Sequence, residues 1–172
     1  KPLKKLALIN KQVLPENTDP DYTFDYIEIG CVGTGFLMEK PQKIIFAEAP
    51  SRARRILKKG DTLISTVRTY LKAVYFVSED SDNLIASTGF AVLTPHNDIL
   101  PEFLGLTIQS DEFVDRVTAN STGTAYPAIA ETRLGSFHLA IPTSIEEQTA
   151  IVEKIRQGTE KINEGIKFLQ RE

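Results

Sequence analysis

The residues with the greatest capacity for chemistry in this 172-residue chain lie between positions 50 and 72, in the run PSRARRILKKGDTLISTVRTYLK. Arginines and lysines are interleaved there with Thr66, Thr69 and Tyr70. A guanidinium offers a planar fork of N–H donors that matches a phosphate or the O6/N7 edge of guanine. Threonine and tyrosine hydroxyls position phosphates. A second segment, NSTGTAYPAI (120–129), adds hydroxyls, a flexible glycine and one aromatic ring. The candidate contact residues are therefore Arg52, Arg54, Arg68, Tyr70, Lys72, Thr122, Thr124, Tyr126 and Arg133. Arg55 and Lys58 complete the basic set. Lys58, like Lys59, reads as a phosphate-contacting or solvated residue, and Arg55 or Arg68 is equally suited to a structural ion pair with Glu48 or Asp61.

Charge is distributed unevenly. Residues 40–75 hold nine lysines and arginines against two acids, whereas residues 76–115 hold eight acids and no lysine or arginine. One face can attract a polyanion while the whole chain, at net charge -3, stays acidic. The competing reading is a set of solvated loop charges that happen to cluster. Overall acidity argues against a protein that coats DNA by charge alone.

Catalytic constellations are not found. Two histidines, His96 and His138, and the single Cys31 leave little for a Cys/His metal site. The glycine-rich GCVGTGF (30–36) matches neither the dinucleotide nor the P-loop spacing. The pairs Asp80/Asp82 and Asp111/Glu112 read as loop charges and helix N-terminal charges. No catalytic residue, metal ligand or cofactor site is assigned. A lone cysteine cannot form an internal disulfide, so a reducing cytoplasm is the expected home. No run approaches the roughly 20 apolar residues of a membrane span.

These residues need a scaffold. Residues 1–13 fit either a short amphipathic helix or a strand. Strands are expected over 24–30, 44–46, 62–68, 71–77, 84–93 (with Gly89 as a bulge) and 134–141, with 50–59 a polar basic stretch ending at Gly60-Asp61. Pro101 suits the first turn of a helix to about Gln109, and Asp111 suits the cap of a second. Short strands, two helices and a final strand read as α+β: a small mixed, mostly antiparallel sheet with short helices. The chain starts at Lys1 with Met38 its only methionine, which reads as a piece of a longer protein.

The last segment differs. Ser144 and Glu147 form a capping-box signature, and no proline follows. Ile145, Gln148, Val152, Ile155, Thr159, Ile162, Ile166 and Leu169 recur at spacings of three and four, a heptad seam with polar breaks at Gln148 and Thr159. Roughly 27 helical residues at 1.5 Å rise extend about 40 Å, beyond a small domain's diameter. The division expected is a domain over 1–143 and a long coiled-coil-type helix over 144–172. Val152, Ile155, Ile162, Ile166 and Leu169 are the candidates for contact with a partner helix.

Four segments, EAPSRARRILKKGDTLISTVRTYLKA, ASTGFAVLTP, STGTAYPAI and LAIPTSIEEQTAIVEKI, occur in this order. Together they resemble the target recognition domain of the DNA specificity subunit of type I restriction-modification systems. Thr143 departs from the pattern, in which a second proline is common there. The resemblance implies a non-catalytic module that reads one half of a split double-stranded DNA site through the major groove. It implies that the long helix acts as a ruler and docks methyltransferase subunits. S-adenosylmethionine, ATP and Mg then belong to partner subunits, including a restriction subunit. Such subunits usually carry two recognition domains and two long helices, so one of each here implies half a subunit or a short one, paired with a second domain or a second copy through the helix. Two other readings remain: the recognition domain of a fused type IIG methyltransferase-endonuclease, and a protein-interaction module that dimerises through the helix and leaves its basic residues scattered or paired with acids.

Overall fold

The computed structural model describes residues 1–170 and shows an α+β fold rich in antiparallel pairing. Eight strands, β1 (Ala7–Ile9), β2 (Thr23–Ile27), β3 (Gln42–Ile45), β4 (Ala53–Leu57), β5 (Thr62–Ser65), β6 (Val74–Phe76), β7 (Leu84–Ser87) and β8 (Phe90–Pro95), precede four helices. The helices are α1 (Pro101–Gln109), α2 (Asp111–Ala119), α3 (Glu131–Gly135) and α4 (Ile145–Leu169). The strands form two four-stranded sheets, ordered β1-β8-β5-β6 and β3-β2-β7-β4. Every pairing is antiparallel except β2 with β7.

Several expectations are corrected. The run 84–93 is two strands rather than one with a bulge. The chain leaves β7 in one sheet and enters β8 in the other across Thr88 and Gly89. At Gly89 a Cβ would stand 2.4 Å from Ile29 Cδ1 and 3.0 Å from Val67 Cγ2, so a larger residue there requires the Ile29 side chain to move aside. The basic stretch 50–59 contains β4, whose ladder with β7 shifts register between Ala53 and Arg55. A polar sequence hid this strand because its buried residues are only Ala53 and Leu57. The last strand expected over 134–141 is absent: Leu134 and Gly135 end α3, and His138 makes only an isolated bridge to Pro2. Residues 1–13 resolve into a 3₁₀ turn at Leu3–Lys5 followed by β1.

The helices start as their sequences dictate. Pro101 sits in the first turn of α1, where its missing N–H costs nothing. Ser110, rather than Asp111, caps α2, accepting from Phe113 N at 3.3 Å. Ser144 Oγ accepts from Glu147 N at 3.1 Å at the start of α4. The main core joins β1, β5, β6 and β8 to the inner faces of α1 and α2 through Leu93, Leu104, Ile108 and Val117, all at most 2% exposed. Gln148, expected as a polar break, is fully buried. Its Oε1 accepts from Leu100 N at 2.7 Å, and its Nε2 donates to Asp98 O (3.3 Å) and Pro142 O (3.2 Å). It therefore fastens the first turn of α4 to the N-terminus of α1. Val152, one turn on, packs on the core. Beyond it the helix is solvent-exposed.

Candidate nucleic-acid interface

The connection from β5 to β6 has an unusual backbone. Arg68 (φ 50°) and Lys72 (φ 52°) both lie in the left-handed region, flanking a 3₁₀ turn at Thr69–Leu71. Non-glycine residues hold this conformation where their surroundings enforce it. The enforcement comes from a loop about fifty residues downstream. Arg68 N donates to Pro127 O at 2.8 Å, and Ile129 N donates to Thr66 O at 2.9 Å. The Thr69 and Ser121 hydroxyls share a 2.8 Å hydrogen bond, and Thr118 Oγ1 donates to Thr69 O at 3.2 Å. On the other flank Thr34 Oγ1 donates to Lys72 O at 2.7 Å. Thr122 and Ala128 close the 120–129 loop with reciprocal 2.8 Å backbone bonds, and Gly123 (φ 108°) makes the turn inside it. The two segments singled out in the sequence are thus one structural unit, with the Arg68 guanidinium 5.0 Å from the centre of the Tyr126 ring.

Beside this unit a cleft of about 520 Å³ opens where the chain crosses between the sheets. Its lining includes Glu28, Arg52, Arg68, Leu71, Ser87 and Thr88. Arg52 is paired with the Glu28 carboxylate across the cleft. Two arginines, the exposed Thr88 and one acid therefore border one concave surface, while Ser87 is buried beneath it with its Oγ accepting from Gly89 N at 3.2 Å. Glu28 was not singled out in the sequence. Its position just after β2 leaves nothing in its local pattern to separate it from an ordinary loop acid.

The other candidates are placed as follows. Arg54 stacks on Phe46 at 4.9 Å and Arg55 pairs with Glu131 at 2.9 Å, with only 15% of its side chain exposed; neither lines the cleft. The partner of Arg55 is neither Glu48 nor Asp61. Lys58 borders a separate polar pocket with Lys11 and Asp61. Asp61 there accepts from Thr94 Oγ1 (2.7 Å) and Lys58 N (2.8 Å), and burial pushes its carboxyl above the ordinary range. Lys72 pairs with Asp115 at 2.7 Å, which holds its ammonium charged to higher pH than usual. Tyr70, Thr122, Thr124 and Tyr126 are exposed around the turn and its clipped loop. Arg133, on α3, donates to Asn120 Oδ1 at 2.6 Å and stacks on Phe137 at 5.7 Å.

On α4, Val152 and Ile155 line an apolar groove against Phe76 and Leu106. Ile162, Ile166 and Leu169 stand 65%, 47% and 70% exposed, an unpaired apolar seam. No described helix is long and apolar enough to cross a membrane.

The cleft thus carries two arginines and is bordered by the left-handed turn onto which the 120–129 loop is clipped. Residues 2–168 match the family of type I restriction modification DNA specificity domains, and the chain belongs to that family as a target recognition domain. The HindI specificity subunit of Haemophilus influenzae is 36% identical over 118 residues, 67% of this chain and 26% of that subunit. The HsdS subunit of Thermoanaerobacter tengcongensis superposes over 95% of this chain and 42% of its own, at TM-score 0.82 and 30% identity. A chain from a study of complex assembly and conformational transition in the type I R-M system superposes over 98% of this chain and 43% of its own, at TM-score 0.83 and 31% identity. The type I S subunit of M. genitalium shares the fold at TM-score 0.63 and 14% identity. The chain spans less than half the length of each of these relatives.

Proposed function

We propose that this chain is one recognition half of a specificity subunit. In this reading it binds double-stranded DNA, reads one part of a bipartite target and catalyses nothing itself. The observation that carries it is the convergence of Arg52 and Arg68 on one cleft, with Arg68 fixed by the 120–129 loop. In this reading residues 1–143 form the reading domain and 144–172 the spacer segment, whose helix α4 runs Ile145–Leu169, residues 171–172 lying outside the described residues. Arg52, Arg68, Tyr70, Thr122, Thr124 and Tyr126 face DNA; Arg54, Lys58 and Lys72 contribute phosphate contacts or field; Arg55 and Arg133 are occupied by Glu131 and Asn120. The α4 seam docks methyltransferase subunits and meets the helix of a second recognition domain or a second copy. S-adenosylmethionine, ATP and Mg act on those partners and on a restriction subunit, and the complex works in the cytoplasm.

Methylome sequencing of a host carrying the operon, with and without this gene, tests the reading. The expected result is loss of N6-methyladenine at one split motif. An unchanged methylome, in a host where the partner methyltransferase is expressed and active, refutes it.

A further inference from the structure

The carboxylate of Glu28 sits inside a cleft whose other charged groups are arginines. If that surface faced phosphates, an acid there would only repel them. A carboxylate is useful against DNA where it meets a donor on a base edge, and in the major groove the cytosine N4 amino group is such a donor. Arg52, paired with Glu28, offers the fork that guanine O6 and N7 accept. The two side chains together present an acceptor next to a bidentate donor, complementary to the two bases of a single C·G pair. Side-chain exposures of 54% for Arg52 and 45% for Glu28 leave both able to turn from each other toward a ligand.

We infer that Glu28 and Arg52 form a base-pair reader that specifies one C·G pair in the recognised half-site. The inference rests on the DNA-reading function proposed above. Glu28 is the specificity residue for cytosine and Arg52 for guanine. Ser87, Thr88 and the Gly89 backbone form the adjoining wall of the same cleft.

The test uses the assembled methyltransferase complex with the full-length specificity subunit, selecting from a pool of randomised DNA duplexes. The wild type should return one motif. Glu28→Ala should return the same motif with a single G·C position degraded, its preference for C falling roughly 5- to 100-fold. Glu28→Gln, whose amide oxygen still accepts from cytosine N4 while Arg52 still reads the paired guanine, should keep C·G at that position with a smaller loss than Glu28→Ala. Arg52→Ala should degrade the same position, and the double variant should lose little beyond either single one. If Glu28→Ala strengthens binding to all sequences equally and leaves the motif intact, Glu28 is only a counter-ion and the inference fails. If the two single variants degrade different positions, the shared base pair is refuted. If the wild type returns no motif, the recognition function itself fails, and the reader with it.

Discussion

Replacing Gln148 should loosen the joint between the recognition domain and its helix. In Gln148→Ala the Leu100 N–H, at the start of α1, loses its partner. A buried donor left without one costs about 1–3 kcal/mol. The Asp98 carbonyl belongs to an exposed residue and regains water, and the Pro142 carbonyl, on a half-buried one, does so in part, so they add less. With the vacated side-chain volume, a loss of about 3 kcal/mol is expected. For a chain of this size each kcal/mol lowers Tm by about 2–4 °C, so the drop should be roughly 6–12 °C. Gln148→Glu adds a sign test. Its second carboxylate oxygen would face the two carbonyl oxygens that Nε2 now reaches, which raises its folded-state pKa above the unfolded value. A raised pKa gives stability that is present below the unfolded value and lost as pH rises through the folded one. The Gln148→Glu variant should therefore approach wild-type stability near pH 4 and fall furthest behind it at neutral pH. Thermal unfolding followed by circular dichroism across pH reads both. An alanine variant melting within about 2 °C of wild type, or a glutamate variant that gains relative stability as pH rises, would refute the account of this joint.

Arg68→Ala should weaken specific DNA binding by about 1–3 kcal/mol and relax one position of the motif, whereas Lys58→Ala should weaken all duplexes alike; titration of specific and scrambled duplexes separates the two. Gly89→Ala, placing a methyl against Ile29 and Val67, should cost about 1–3 kcal/mol by thermal unfolding, and an unchanged Tm would show that the Ile29 side chain moves aside without strain. Ile162→Asp with Leu169→Asp should leave stability within about 0.5 kcal/mol of wild type because both sites are exposed, yet abolish co-purification with the methyltransferase subunit. The affinity of the chain for duplex DNA should fall with salt at a logarithmic slope of roughly −3 to −4, since about four basic residues between 40 and 75 stand outside ion pairs; a slope of about −8 would mean that those pairs open on binding.

Local chemistry was legible in the sequence wherever one residue type dictates the backbone. Pro101 opened α1, Ser144 capped α4, and the Gly60-Asp61 turn fell between β4 and β5. Where tertiary contacts decide, the sequence was silent. β4 is polar because only Ala53 and Leu57 of it are buried, and no period-2 pattern survives the register shift at Arg54. Residues 134–141 have a strand's composition, but they pack as a short helix and an extended segment under Arg116 and Arg133, whose guanidinium groups stack on Phe137. Gln148 looked like a flaw in a heptad seam because helical spacing cannot say what lies opposite. The two segments proposed to face DNA were both picked out by residue type, but their union could not be. It depends on backbone bonds between Thr66, Arg68, Pro127 and Ile129, and these leave no mark on residue identity.

The same limit applies to charge, and there it changes the functional argument. The excess of positive charge between residues 40 and 75 looked like an electrostatic footprint. In the fold, among the described residues, Lys43, Arg52, Arg55, Lys59 and Lys72 are each matched to an acid from elsewhere: Asp25, Glu28, Glu131, Asp80 and Asp115. Only Asp80 and Asp115 come from the acidic stretch 76–115; the other three partners lie outside it, so the basic run is compensated mainly by acids from elsewhere in the chain. This is the pairing with acids that a pure interaction module would show, except that Arg52 and Arg68 still share one cleft. A surface compensated in this way attracts phosphates weakly, because sequence-independent affinity follows the number of counterions released. What remains strong is directional: guanidinium forks held in place by Glu28 and by the Tyr126 loop. On the proposed reading, such a surface separates one sequence from another better than it grips DNA in general, and partner subunits would supply the rest of the grip.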